Sequence, residues 1–582
     1  MSALIAMMFS SGTHSTIEPV SAFCPVPRIA GCRRQHSKSR RAMTLSPSTT
    51  EAQTTDLKAD MATVRRLTET AIYETSSING LEALQSLSLL CQQRLPYVFL
   101  TESRTEPMKK ATSGAEINND RNGNADGISL MRKWSQLFSS DAIASIKSQI
   151  QKMEENGWWS TNPDSVDGLP SFHLNLISDG KPLFPVEDDR KGKDEDDNRD
   201  FEKEVQSLLQ VVHPVIYEDL LPKLQQEWLA SSNKSTSLQV SDIFVRRYGR
   251  ELADAGIEAR QGISAHYDVY SKVTAVLALD DVAAAGTNGL YTTYSMPEEG
   301  CARISTNHAA LRRFIPLREG DAVIHTWDVL HGVDVEPGLD RTSLIVWFTE
   351  AAVLDQDEEG GDNDVDPTNK NVAPWLLRNP NLETDDVAQF VLASALSSSN
   401  IDNDANGSKS ENYDQQNEKD YQHDLYIRSA VNRNSFALTL IGSLIEEGAL
   451  CRDLLEKVKG IADQLRPFGE LPVPIQKWQH DSDESSLLAM RFWLEGAVRG
   501  NPLAQKALAD ELMFLQSSQN DHDLEVNTLA ASLFALAAQQ GDKEASDSLA
   551  RVIDFAAQGG DVQSQEEFLV LEAVKVAKAA TS

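Results

Sequence analysis

His266 and Asp268 stand one residue apart in Ser264-Ala-His266-Tyr-Asp268. Residues two apart leave the backbone on the same side only in an extended segment. In such a segment the imidazole and the carboxylate can reach one ion together. His331 supplies a third ligand 63 residues after Asp268, beside a turn marked by Gly332. The surrounding sequence reads as strands from Val240 to Glu350. Val273-Thr-Ala-Val-Leu-Ala-Leu279 is β-branched and apolar, and Ala322-Val-Ile324 and Ser343-Leu-Ile-Val-Trp-Phe348 are further short strands. Gly and Pro punctuate the intervals, which predicts a sandwich or barrel rather than alternating βαβ units.

Two histidines and one carboxylate on one side of a metal leave three positions open, the arrangement of a non-haem iron(II) facial triad. Two positions suit a bidentate 2-oxoacid and one suits O₂. HxD alone is common, so its context matters. Arg341 lies ten residues beyond His331, at the start of the strand Ser343–Phe348. A guanidinium there can form a two-pronged pair with the distal carboxylate of 2-oxoglutarate. Ser343 shares that face and can add a hydroxyl hydrogen bond. Tyr291 and His325 are further candidates for the pocket wall, with core or surface packing the favoured reading for His325. His308 and His325 invite a zinc reading, but a zinc hydrolase would need HExxH or a comparable motif, and none is present. His173 and His213 have no partner at ligand spacing. The acidic run 355–366 does not match the positions of a calcium loop.

Residues 243–350 resemble the catalytic domain of the prolyl 4-hydroxylase group of 2-oxoglutarate/Fe(II) oxygenases. The matching stretches are Phe244-Val-Arg-Arg-Tyr248, His266-Tyr-Asp268, Thr274 to Leu279, Gly289-Leu-Tyr291, Glu319-Gly-Asp-Ala-Val323, Leu330-His331-Gly332-Val333, and Gly338 to Arg341 followed by Trp347-Phe348. The resemblance implies a double-stranded β-helix, or distorted jelly roll, with helices packed outside it, and residues 130–235 fit those supporting helices. It implies Fe(2+), 2-oxoglutarate and O₂ as reactants, and ascorbate as reductant. His266, Asp268 and His331 become the catalytic metal ligands, with Arg341, Ser343 and Tyr248 as cosubstrate-binding residues. The chain departs from the pattern in several places. Arg341 stands where the prolyl hydroxylases use Lys, and the loop between Tyr248 and His266 is longer. His325 replaces an aromatic, and Asn288-Gly289 replaces a Gly-Gly pair. These leave the cofactor chemistry intact and loosen any tie to peptidyl proline.

With 582 residues the chain exceeds one cooperative domain. The expected fold class is multidomain α+β, an oxygenase core followed by an all-α repeat domain. The first 45 residues are acid-poor and rich in Ser and basic residues (Arg28, Arg33, Arg34, Lys38, Arg40, Arg41), as in an organelle transit peptide or a basic tail. Val20-Ser21-Ala22-Phe23 resembles the cleavage motif of algal bipartite plastid presequences. Plastid, mitochondrion and cytoplasm all stay open as locations. Residues 46–103 read as helical, with Val64, Leu67, Ala71 and Ile72 at helical spacing, and 104–128 read as a linker. The oxygenase domain is expected at 129–352, with an amphipathic helix from Trp134 to Met153 and another from Phe201 to Trp228. An acidic, polar linker follows at 353–424, with a short helical element around Trp375 to Leu392.

From 425 to 580 the chain reads as helix with an internal repeat. Gly496-Ala-Val-Arg-Gly-Asn-Pro-Leu-Ala504 with Leu508 is echoed by Ala537-Ala-Gln-Gln-Gly-Asp-Lys-Glu-Ala545 with Leu549, and a looser copy runs from Ser429 through Asn434 and Ala437 to Ile441. Trp493 and Phe534 take the aromatic position. The pattern resembles Sel1-like repeats, relatives of the tetratricopeptide family, which implies stacked helical hairpins and a protein substrate or partner.

The net charge of −33 argues against nucleic-acid binding, and no apolar run is long enough to cross a bilayer. Cys24, Cys32, Cys91, Cys301 and Cys451 are scattered and odd in number, which disfavours a disulfide scaffold. The reading is an oxygenase that hydroxylates an unidentified substrate, a protein side chain such as proline being one option. The alternative is a non-catalytic scaffold acting through its helical repeats. Because every expected ligand precedes residue 352, a chain ending there is expected to keep basal 2-oxoglutarate decarboxylation.

Overall fold

The apolar run Val273–Ala278 is buried along its whole length, because it lies inside a sheet covered on both faces. This computed structural model describes residues 60–98, 131–161, 164, 166, 169–182, 195–228, 237–249, 260–293, 295–296, 304–350, 374–377, 379, 382–404, 413–479, 484–519 and 523–558. The expected transit peptide or basic tail at 1–45, the linker at 104–128 and the acidic run at 355–366 lie outside the described residues.

Two helices come first, α1 (Met61–Tyr73) and α2 (Ile78–Cys91), then strands β1 (Leu95–Pro96) and β2 (Met131–Trp134). Helix α3 (Ser140–Glu155), strands β3 (Phe172–Ser178) and β4 (Lys181–Pro182), and helices α4 (Glu195–His213) and α5 (Leu221–Trp228) follow. A π-helical turn at Pro214–Leu220 joins α4 to α5, starting where proline removes a backbone donor. The main strands are β5 (Leu238–Tyr248), β6 (Gly262–His266), β7 (Val273–Ala278) and β8 (Gly289–Thr292). A ribbon of β9 (Ser295–Met296) and β10 (Ile304–Ser305) precedes β11 (Arg313–Phe314), β12 (Ala322–Thr326), β13 (His331–Asp334) and β14 (Arg341–Glu350).

The larger sheet runs β2-β12-β7-β14-β5-β3-β4 and the smaller β1-β11-β8-β13-β6. Successive strands cross between the two sheets, with β5, β7, β12 and β14 in one and β6, β8, β11 and β13 in the other. This is the strand order of a double-stranded β-helix. The outer face of the larger sheet packs Ala275, Leu277, Leu344 and Val346 against Ile143, Ile146, Ile150 and Met153 of α3 and Leu208 of α4. Between the sheets, Val276, Ala278 and Val323 meet Ile263, Leu290 and Val333. The alternation along β14 thus sends Leu344, Val346 and Phe348 to the helices and leaves Arg341 and Ser343 facing the other sheet.

Helix α3 begins at Ser140, with Ser139 capping it by accepting from Ala142 N–H, and not at Trp134 as expected. Met131–Trp134 is instead captured as a strand by β12, and Gln136 at φ 54° breaks the chain between the two. Helix also occupies part of the expected polar linker, as α6 (Pro374–Leu377), α7 (Asp386–Asp404) and the start of α8 (Tyr413–Val431). The apolar side chains Val387, Phe390, Val391 and Ala395 are buried there despite the polar composition around them.

Then come α9 (Ser435–Glu446), α10 (Arg452–Leu465), α11 (Val473–Gln476), α12 (Glu484–Val498), α13 (Pro502–Gln519), α14 (Leu524–Gln539) and α15 (Lys543–Gln558). The sequence echo marks one recurring turn. A left-handed residue ends the first helix of each hairpin, at Arg433 (φ 66°), Gly500 (φ 82°) and Gly541 (φ 99°). The next residue caps the second helix: Asn434, Asn501 and Asp542 accept from the N–H of Ala437, Ala504 and Ala545. Close helix approach needs the glycines: a Cβ on Gly442 would come 2.4 Å from the Trp493 indole nitrogen.

The described residues form one compact unit, and the hairpins pack directly on the β core. Tyr267, between two expected metal ligands, sits 6.4 Å from the Phe390 ring and 6.0 Å from the Phe436 ring. Gln540 accepts from Ala309 N–H at 3.1 Å, Arg312 donates to the Gln540 carbonyl, and Gly500 presses on His308. A chain ending near residue 352 would uncover all of these groups. We therefore expect it to lose cooperative folding, contrary to the expectation of retained decarboxylation. Phe390→Ala should cost the full-length protein about 3–5 kcal/mol, read as a lower urea midpoint; an unchanged midpoint would mean the helices are not clamped to the core.

Candidate metal centre and anion pocket

Strand β6 ends at His266 and β13 begins at His331, and the two residues are direct partners across the smaller sheet. One ligand atom from each of His266, Asp268 and His331 lies within 4.8 Å of the others. Nε2 of His266 is 3.7 Å from Asp268 Oδ1, and Nε2 of His331 is 3.7 Å from Asp268 Oδ2. The opposite ring nitrogens face backbone carbonyls, His266 Nδ1 that of Ser264 at 2.8 Å and His331 Nδ1 that of Val329 at 3.0 Å. A neutral imidazole donating from Nδ1 carries its lone pair on Nε2. Both lone pairs then point at a carboxylate, an arrangement that a cation between them would relieve.

The protonation states suit that cation. Burial and the His331 ring push His266 down to about 4. Burial alone would raise the Asp268 carboxyl, but the imidazoles of His331, His325 and His266 and the Thr274 hydroxyl hold it below the usual carboxylate range. Near neutral pH His266 is therefore a neutral imidazole and Asp268 an anion, the forms that bind metal. The donor set fits a divalent iron, manganese or zinc ion. His266 keeps 19 % of its side chain exposed, so the cluster is reached from outside.

His325 takes a place that sequence reasoning treated as packing. It lies opposite Thr274 in the larger sheet, fully buried, with its ring 4.3 Å from that of His331. Its Nε2 is 3.8 Å from Asp268 Oδ2 but falls outside the three-ligand cluster. It packs against the ligands themselves, and the alternation with Val323 on β12 was the available signal. Tyr291 pairs with Gly332, not His331, and so faces away from the metal side. Its hydroxyl lies where a Gly332 side chain would be. His308 is buried under Gly500 at the helical hairpins, His213 stacks on Tyr217, and His173 lies on β3 beside Arg246.

Arg341 is 1 % exposed, and Nε, Nη1 and Nη2 all lack a hydrogen-bond partner. Burial pulls its pKa below the usual guanidinium value, with Asp280 and Tyr248 opposing the shift, yet a guanidinium stays charged. The Ser343 hydroxyl, two residues along the same face, is also buried and unpartnered. Tyr248 is buried directly opposite Arg341 on β5. Gly289, at φ 90°, makes room for the arginine, because a Cβ there would stand 2.6 Å from Arg341 Nε. Arg247 is excluded from this pocket: it donates to Glu154 and Thr342 and lies over Trp159 on the helix side of the sheet. Sequence reasoning missed Arg94, which ties the N-terminal helices to the smaller sheet through Asp334 and Asn288.

No protein-family model and no curated protein sequence matches the chain. Among solved structures, it is similar to the non-heme alpha ketoglutarate dependent epimerase SnoN from nogalamycin biosynthesis, at 13 % identity over 38 % of this chain and 79 % of that one, with a TM-score of 0.26. It is also similar to a prolyl hydroxylase from Trichoplax adhaerens, solved with a hypoxia inducible factor peptide, at 12 % identity over 38 % and 83 % of the two chains, TM-score 0.24. A Pseudomonas putida prolyl-4-hydroxylase matches at 12 % identity over 38 % and 92 %, TM-score 0.20. The likeness to a double-stranded β-helix rests on the strand order, and similarities this distant add nothing to it.

His266→Ala and Asp268→Ala should each bring bound iron per chain down to background, while thermal unfolding stays cooperative. Wild-type stoichiometry in either variant would show that the metal binds elsewhere.

Proposed function

We propose that the protein is an iron(II)- and 2-oxoglutarate-dependent dioxygenase that hydroxylates an organic substrate. What carries the reading is the Arg341 guanidinium, buried with no hydrogen-bond partner among the described residues on the face that also bears the metal cluster. A buried unpaired charge costs several kcal/mol, and a dicarboxylate that enters with the metal removes that cost. A non-catalytic scaffold has no use for it.

Iron(II) chelated by 2-oxoglutarate would supply the oxygen chemistry: one atom of O₂ goes to succinate, released with CO₂, and the other to the substrate as hydroxyl. His266, Asp268 and His331 hold the metal from one side and leave the other open. Arg341 pairs in a fork with the distal carboxylate of the cosubstrate, and Ser343 donates its hydroxyl to the same group. Tyr248 lines that slot opposite Arg341. Thr274 fixes the Asp268 carboxylate by donating to Oδ2. Ascorbate would serve as the external reductant. A protein side chain such as proline is one option for the substrate, as in prolyl 4-hydroxylase-like enzymes, although the departures from that motif loosen the tie to peptidyl proline. The three hairpins, read as Sel1-like repeats, would receive such a protein on the faces not already packed on the core.

Arg341→Ala should weaken 2-oxoglutarate binding at least roughly tenfold, since about 1.4 kcal/mol is tenfold and losing one partner of a buried charge pair costs about 2–5 kcal/mol. Iron affinity should change little, and Arg341→Lys should be milder, keeping charge without the fork. Anaerobic titration of the iron-loaded protein, following the metal-to-ligand charge-transfer band, measures both. Equal 2-oxoglutarate affinity in wild type and Arg341→Ala would remove the cosubstrate from this pocket.

A further inference from the structure

A second buried guanidinium shares the inner face of the larger sheet. Arg246 lies on β5 directly opposite Ser343, with His173 on its other side in β3. Its Nη1 donates to Asp164, whose side chain is wholly buried. Asp164 lies in the loop closed by the Ser160–His173 bridge, donating its N–H to the Leu169 carbonyl and accepting from Val166 N–H. Arg260, six residues before His266, brings Nη1 to 3.6 Å from the same carboxylate. The floor beside Arg246 is aromatic: its guanidinium is 5.4 Å from the Phe244 ring, which stands edge-on to Trp347.

Asp164 is divided between Arg246 and Arg260, and Arg246 also hydrogen-bonds to Tyr248. His173 adds no further positive charge, since burial and Arg246 both depress its pKa and leave it neutral. Nε of Arg246 is buried without a partner. The corner adjoins the cosubstrate slot, because Ser343 lies directly opposite Arg246. Arg341 is sealed, but the Arg246 side chain keeps 20 % exposure. Arg246 also lies one strand further out in the sheet than Arg341 and Ser343, beside Tyr248.

Building on the oxygenase reading, we propose that the Arg246–Arg260 corner receives an anionic group of the molecule to be hydroxylated, a carboxylate or a phosphate. Arg246 acts as the specificity residue, with Asp164 and Arg260 holding its guanidinium in place. An anion there would accept from the free Nε of Arg246, while the aromatic floor packs against the adjoining carbon chain.

The test uses the full-length protein, anaerobic, with iron(II) and saturating 2-oxoglutarate. Butyrate, butyl phosphate and butyramide are titrated as probes, read as perturbation of the charge-transfer band. Absence of that band in the wild type would remove the oxygenase reading itself, whatever the probes do. With the band present, butyrate or butyl phosphate should bind at least roughly tenfold tighter than butyramide, a difference of about 1.4 kcal/mol. Arg246→Gln should abolish that preference, and Arg246→Lys, which keeps the charge and leaves Asp164 paired, should retain part of it. Equal binding of acid and amide, no binding of any probe, or an undiminished acid preference in Arg246→Gln would each overturn the proposal. So would a loss of 2-oxoglutarate affinity in Arg246→Gln as large as in Arg341→Ala, because Arg246 would then belong to the cosubstrate slot.

Discussion

The pairing of β6 with β13 places His266 against His331, and the site depends on that contact. The two strands are separated in sequence by two crossings into the larger sheet, so the ligands meet only when both sheets are complete. Room for the pairing comes from missing side chains. A Cβ on Gly262 would come 1.9 Å from the Val333 carbonyl oxygen, and one on Gly332 would meet the Tyr291 hydroxyl. Asp268 then enters from the loop after β6, and Thr274 on the facing sheet holds its carboxylate. The metal cluster therefore bridges the two sheets and is not carried by one of them.

The same inner face concentrates groups that stability alone would not choose. Arg341, Ser343, Arg246 and His325 each present a buried polar atom with no partner. Unsatisfied buried donors typically cost about 1–3 kcal/mol apiece, more when charged. In the hairpins the buried Arg499 and the half-buried Arg466 are both paired with Glu495. Arg341 differs from these in that none of its three guanidinium nitrogens has a partner among the described residues, and a small molecule would supply them. The helical hairpins support that space from outside by packing Phe390 and Phe436 on Tyr267, within the ligand motif itself.

Much of this was legible in the sequence, for identifiable reasons. His266, Asp268 and His331 carry a spacing that suits a metal cluster, and the fold does bring the three together, while Arg341 and Ser343 follow at a distance set by one turn and one strand. The strands β7 and β14 announce themselves by β-branched, apolar runs, and the hairpin turns by Gly-Asn and Gly-Asp before Ala. What could not be read is what depends on contacts between distant segments. Asp164 lies in a polar stretch indistinguishable from a surface loop, and Arg94 and Arg260 look like ordinary surface cations. His325 stands in a strand whose inward face is identified only once β12 pairs with β7. The helical element expected around Trp375 to Leu392 is present, but its extension to Asp404 and the helix from Tyr413 fall in a Ser-, Asn- and Asp-rich stretch that reads as linker. The packing of the hairpins on Tyr267 leaves no local pattern at all.

The central claim is that the metal cluster and the Arg341 pocket form one site for iron(II) and 2-oxoglutarate. A crystal structure of the full-length protein, grown anaerobically with both, tests it most directly. The account predicts iron held by Nε2 of His266, Nε2 of His331 and the Asp268 carboxylate, with the distal carboxylate of 2-oxoglutarate paired to Arg341. Iron bound by other residues, or 2-oxoglutarate lying away from an Arg341 that stays unpaired, would contradict it.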